Sequence, residues 1–211
     1  MKVNRELILQ AALELLNEVG SEELTLRRLA LKLKIQAPTL YWHFKSKEDL
    51  TDAMATLILA GGAPQMLPDT PESGWKVWVS IFGHGLRKVL LKYRDGARVV
   101  AGSRLTDTQY LEITERIGAR LVEAGFSLRQ AVVLLSSVYT LTVSFVVEEQ
   151  AVFPLPGQRS PKYDIEARKA ALDAAKFPLH RATGEILFDE FDRRYQESLA
   201  LLIDGASLNM P

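Results

Sequence analysis

Apolar residues recur every three or four positions along almost the whole chain, and no segment alternates with period two over the length of a strand. That regularity restricts the fold to packed helices. In NRELILQAALELLNEVG, Ile8, Ala11, Ala12, Leu15, Leu16 and Val19 keep the spacing, and Gly20 stands where a helix C-cap belongs. Thr25 is a candidate N-cap for LRRLALKL, a short second helix whose Leu26, Leu29, Ala30 and Leu33 can face inward. A brief turn at Lys34-Ile35-Gln36 leads into APTLYWHF. Pro38 suits the first turn of this third helix, because its missing N–H has no intrahelical partner there. Ser46 and Asp49 resemble a capping box opening a fourth helix over about residues 47–59.

Gly61-Gly62-Ala63-Pro64 ends that helix, and QMLPDTPESG reads as a connection. A second block begins at Trp75, with helices expected over about 75–93, 96–101 and 106–123. Gly125 stops the last of these, and Ser127 with Gln130 forms another capping box for an uncharged helix over 127–150. Prolines keep AVFPLPGQRSPKY out of regular helix. An Ala-rich helix over about 164–176 follows, then a loop and a final helix over 185–204. Leu187, Phe188, Phe191, Tyr195, Leu199 and Leu202 make one apolar stripe along it.

Charge and composition narrow the function classes. With 47% apolar content, 211 residues can bury one larger core or two smaller ones. Twenty-six cations balance twenty-six anions, so overall charge offers no grip on nucleic acid or a membrane, and a polyanion has to be met by a local patch. The absence of cysteine excludes a disulfide framework, a thiolate metal site and a cysteine nucleophile, and fits a cytoplasmic protein. MKVNRELILQ enters an amphipathic pattern directly, without the apolar core of a signal peptide. The uncharged run over 131–147 is close to the minimum span of roughly 17 residues. Ser136, Ser137, Thr140, Thr142 and Ser144 within it favour a helix buried in or between subunits, so no membrane partner is expected. Three scattered histidines and no glycine-rich phosphate loop leave little from which to build an enzyme. His84, flanked by glycines, reads as a satisfied core histidine in preference to a pocket residue.

The local patch exists. Between Leu24 and Lys47 there is no acidic residue, while Arg27, Arg28, Lys32, Lys34, Lys45 and Lys47 give +6. Two short helices joined by a tight turn and buttressed by a longer one are the parts of a helix-turn-helix, whose second short helix enters the DNA major groove. In that helix Tyr41, Trp42, His43 and Phe44 lie on successive faces about 100° apart, so they cannot all point into one core. Leu40 and Phe44, four apart, form the core pair; Tyr41 and His43 are left outside, and Trp42 can join them.

TLRRLALKLKIQAPTLYWHFKSKEDL resembles the DNA-binding domain of the TetR family of bacterial transcriptional repressors. ALELLNEVG, PTLYWH and YRDGARV bring the chain nearer the tetracycline-repressor branch than most of that family. The resemblance implies an all-α fold with a three-helix helix-turn-helix domain over 1–46, a connecting helix over 47–64, and a helical ligand-binding and dimerisation domain over 65–211. It also implies roles for residues. Arg27 is similar to an arginine that reads a guanine edge, and Thr25, Thr39, Tyr41, Trp42, His43 and Lys47 to contacts with phosphates or the operator groove. Pro38 resembles an apolar contact to thymine methyls. Two departures stand out: Ala37 occupies the place of an adenine-bonding glutamine, so the operator is expected to differ at that base, and Leu26 replaces a polar phosphate contact.

For the second block, the resemblance implies a homodimer that encloses a small effector. The apolar helices over 127–150 and 185–204 could pair across a two-fold axis as a four-helix interface. YRDGARVVAGSRLTDTQY is similar to a stretch that supplies a magnesium-binding histidine, but Val100 holds that position and no histidine occurs near 60–66. Phe82, Leu86 and Arg116 stand in place of a drug-binding asparagine, a phenylalanine and a glutamine; Glu148 matches a glutamate that reaches the metal's water shell. One carboxylate does not make a magnesium site, so no metal or other cofactor is expected. The pocket is expected to be lined by Phe82, Leu86, Val100, Ser103, Arg104, Leu105, Arg116, Val132, Leu135 and Tyr139, and to suit an apolar or aromatic ligand with a few polar or anionic groups. Repression and activation need the same reading head, and both stay open.

Overall fold

A computed structural model describes residues 4–68 and 73–208, so positions 69–72 of the expected connection lie outside the described residues. It is all-α. Twelve α-helices and no strand occur among the described residues, where the nearest thing to a ladder is an isolated bridge between Leu155 and Gln158.

The first four helices follow their caps. α1 (Arg5–Glu23) starts where Asn4 Oδ1 accepts from the Leu7 N–H, and it kinks at Gly20, whose φ is +81°. The regular helix therefore stops where the sequence indicates, and a further turn follows. α2 (Leu26–Leu33) is capped by Thr25, whose hydroxyl accepts from the Arg28 N–H. Lys34, at φ 55°, makes the tight turn into α3 (Ala37–His43). α4 (Lys47–Gly61) has Ser46 as N-cap, and Asp49 reaches back to the N–H of Lys45 rather than to that of Ser46 as in a standard capping box. Ile8, Leu16, Leu29, Leu40, Phe44 and Leu50 are fully buried among these helices.

The second block is organised by α8 (Leu128–Val152), which opens on the complete Ser127/Gln130 capping box. It packs against α5 (Trp75–Leu90), α6 (Gly96–Val100), α7 (Gln109–Glu123) and the final helix α12 (Phe191–Leu208). Among the described residues α8 alone is long and apolar enough to cross a membrane; one face of it packs against four helices of the bundle, while Leu128, Val132 and Val133 stay exposed. Two polar pairings tie the bundle together, although the buried Trp78 Nε1 has no hydrogen-bond partner among the described residues. Arg87 donates twice to Glu149, at 2.9 and 2.6 Å, and Thr142 shares a 2.7 Å hydrogen bond with Tyr195.

Helix ends that differ from expectation have long-range causes. α5 stops at Leu90 instead of near residue 93, with Gln150 donating to the carbonyls of Leu90 and Tyr93. α7 begins only at Gln109, because the Thr106 N–H is given to the Thr56 hydroxyl on α4. The Ala-rich helix is shorter than its composition suggests: α9 (Ile165–Ala171) ends where Arg181 donates to the Lys169 and Leu172 carbonyls. α10 (Pro178–Ala182) then fills part of the expected loop. The expected final helix is two helices, α11 (Gly184–Phe188) and α12, since Arg159 takes the Phe188 carbonyl that a continuous helix would use internally. His84 is exposed on α5, edge-on to the Tyr195 ring at 5.3 Å, and is neither a core nor a cavity residue.

Candidate functional site

The basic patch is narrower than the sequence suggests. Lys32 turns back onto α1, 2.7 Å from Glu18 and 3.3 Å from Glu14, and Arg28 pairs with Glu23. Arg27, Lys34 and Lys45 are exposed and have no ion-pair partner among the described residues. Lys47 is exposed too, with Nζ donating to the Ser21 carbonyl at 2.9 Å. On α3, Pro38 and Tyr41 are exposed, and Trp42 is the most open of the aromatics at 89%. Ala37, Thr39 and His43 are half-buried, while Leu40 and Phe44 are buried as a pair. Thr25 is exposed, with its hydroxyl accepting at the α2 N-cap. Arg5 carries no signal in the sequence, yet it donates to the His43 carbonyl at 3.1 Å and lies 4.4 Å over the Phe44 ring. It therefore holds the end of α3 against α1.

A cavity of about 850 Å³ lies between α4, α5, α6, α7 and α8. Of the expected lining, Phe82, Val100, Ser103, Leu105, Val132, Leu135 and Tyr139 are on its wall. The other expected residues are elsewhere. Leu86 is buried in the bundle core, because it sits one helical turn beyond Phe82. Arg104 has a largely exposed side chain and is held by Asp52, its N–H donating to Oδ1 at 2.9 Å. Arg116 is exposed and turned over the Trp78 ring. Glu148 faces a separate groove with Arg98 and Arg194.

The inner face of α7 is what the sequence reading missed. Tyr110, Thr114, Gly118 and Val122, spaced by four, run along the cavity, and Ala55 and Leu59 of α4 complete the wall. The spacing was visible as a stripe beside the core positions Ile113, Ile117 and Leu121. Burial pushes the Tyr110 hydroxyl well above the usual phenol range, with the neighbouring Tyr139 adding to the shift; burial raises Tyr139 as well. Both stay protonated donors under ordinary conditions. The donor set does not fit a divalent cation: among the described residues Glu115 and Glu123 are the only carboxylates on the wall, and no group of three His, Asp or Glu side chains gathers around a common point.

Cavity and reading head are physically joined. Asp52 and Thr56 of α4 are buried and accept from the N–H groups of Arg104 and Thr106, at 2.9 Å each, in the segment that carries Ser103 and Leu105 onto the wall. At the other contact, Asp95 accepts from the Ser21 N–H at 2.8 Å and from its hydroxyl at 3.1 Å, and Asn17 accepts from the Arg94 N–H.

Residues 8–54 match the family described as bacterial regulatory proteins, tetR family, and residues 67–209 match the tetracyclin repressor-like C-terminal domain. The chain is 37% identical over 210 residues to the class D tetracycline repressor protein of Escherichia coli, covering 99% of this chain and 91% of that protein. A solved structure of a possible TetR family transcriptional regulator from Streptomyces coelicolor superposes with a TM-score of 0.85 at 36% identity, covering 97% of this chain and 99% of that one. A TetR variant from Acinetobacter baumannii in complex with minocycline gives 0.76 at 33%, covering 100% and 99%. With a helix-turn-helix at one end, a ligand-sized cavity at the other and relatives that are regulators rather than enzymes, the chain belongs to the TetR family of bacterial transcriptional regulators.

Proposed function

We propose that this protein is a cytoplasmic repressor that binds a palindromic operator as a homodimer and is released by a small effector that needs no metal. The observation that carries the reading is α4. Its fifteen residues rise about 22 Å, from Lys47 beside the reading head to Ala55 and Leu59 on the cavity wall. A molecule that pushes on Ser103 or Leu105 pulls on Asp52 and Thr56 through the hydrogen bonds that tie this segment to α4. Displacing α4 changes the separation of the two recognition helices in a dimer, and half-sites one turn of DNA apart tolerate little change. An inducer of this kind binds the non-DNA conformation more tightly than the DNA-bound one.

The dimer reading rests on apolar surface along α8 and α12. Val133 is 54% exposed and Leu201 76%, flanking a groove lined by Phe126, Leu134 and Leu202. The test is selection of duplexes from a random pool by the purified protein, followed by titration at several salt concentrations. An inverted repeat with half-sites about ten base pairs apart, bound with a steep inverse salt dependence, is expected. Equal affinity for selected and random duplex at physiological salt would overturn the reading.

A further inference from the structure

The wall chemistry of the cavity identifies the class of effector, given the reading above that the cavity is where the effector binds. Tyr110 is 6% exposed and lines the cavity, yet its hydroxyl has no hydrogen-bond partner among the described residues, and neither does that of Tyr139. The other wall hydroxyls are committed as donors: Ser103 to the Val99 carbonyl, Thr114 to Leu111 and Ser136 to Val133. Two tyrosine O–H groups therefore face the cavity uncommitted to any protein acceptor among the described residues, and each can donate to an acceptor on a bound ligand.

The charges point the same way. Among the described residues no lysine, arginine or histidine is on the wall. The three arginines nearby are engaged elsewhere: Arg104 with Asp52, Arg116 over Trp78, and Arg120 with Glu123 at 2.8 Å. Glu115, on the wall but exposed, has no partner among the described residues. An anionic ligand would lose its hydration in an apolar chamber whose only fixed charges are negative. We infer that the effector is an aromatic molecule without an anionic group, offering a hydrogen-bond acceptor to Tyr110 and Tyr139 and a protonated amine to Glu115 at the rim. The sequence reading, which allowed anionic groups, depended on Arg104 and Arg116 reaching the pocket.

A matched series of fluorophores tests this: dansylcadaverine as cation, dansylamide as neutral congener and dansylglycine as anion, titrated against the full chain by fluorescence. Dansylcadaverine is expected to bind tightest and dansylglycine weakest. Glu115→Gln should narrow the gap between cation and neutral congener by about two- to fivefold. Tyr110→Phe should weaken all three by about two- to tenfold. Gly118→Trp, or the smaller plug Gly118→Leu, should abolish binding, since a Cβ at Gly118 meets nothing within 4 Å and the side chain is free to enter the cavity. If dansylglycine binds as tightly as dansylamide and the plug blocks it, the charge assignment fails while the cavity reading stands. If none of the three binds, or the plugs leave binding intact, the cavity reading fails and the assignment with it.

Discussion

Gly20 holds a backbone conformation, φ 81° and ψ 172°, that only glycine adopts without strain. An added Cβ would also stand 2.9 Å from Asp95 Oδ2 and 3.1 Å from Arg94 Nε. Gly20→Ala should therefore cost about 1–3 kcal/mol of backbone strain, plus some of the Ser21–Asp95 contact, read as a lower urea midpoint. Arg87 shows how burial decides the worth of an ion pair. Its partner Glu149 is buried with it, each side chain about 11% exposed, whereas its partner Asp192 is 95% exposed. Arg87→Ala should cost about 3–5 kcal/mol by leaving the Glu149 carboxylate alone in the bundle. Asp192→Ala should cost no more than about 1 kcal/mol. Thermal and urea melts of the two variants check the contrast, and equal losses would mean that geometry outweighs burial here. Neither pairing was legible in the sequence, because Arg87 and Glu149 lie 62 positions apart.

The helices were legible where their caps and periodicity are local. Thr25, Ser46 and Ser127 each accept from a backbone N–H three residues on, as their positions suggested. Predicted ends failed where a distant side chain takes a carbonyl, as Arg159 does at Phe188 and Gln150 at Leu90. Glycines inside helices show the same limit, since composition does not distinguish a glycine needed for packing from one that is not. A Cβ at Gly85 would lie 2.0 Å from the Gln65 carbonyl oxygen, in the short 3-10 helix Ala63–Gln65 that crosses α5. Gly118, in the middle of α7, has open space. Gly85→Ala should destabilise by about 1–3 kcal/mol or more, because backbone has to move. Gly118→Ala should stabilise by about 0.5–1 kcal/mol through helix propensity. Opposite shifts in melting temperature from the same chemical change are the expected result.

At the scale of the whole molecule, the sequence shows two blocks. The acid-free stretch over 24–47 marks one, and the proline- and glycine-rich junction after α4 marks the start of the other. What it cannot show is how they are coupled, because the coupling groups are single polar residues on helices that look apolar. Asp52 and Thr56 sit within KEDLTDAMATLILAG, where nothing local indicates that they accept from residues about fifty positions away. If these two side chains carry the effector's pull to the reading head, removing them separates ligand binding from operator release. Linkage makes that measurable twice: the factor by which dansylcadaverine weakens operator binding equals the factor by which operator weakens dansylcadaverine binding. Couplings of this kind usually amount to about 5–150-fold. In Asp52→Ala/Thr56→Val both factors should fall toward one together, while operator affinity without ligand stays within about threefold, since neither residue is on the DNA face. The cost in stability, about 1–3 kcal/mol for each lost acceptor, is checked by urea melts so that unfolding is not mistaken for uncoupling. Retention of the full factor in a folded double variant would send the pull through the Ser21–Asp95 contact instead.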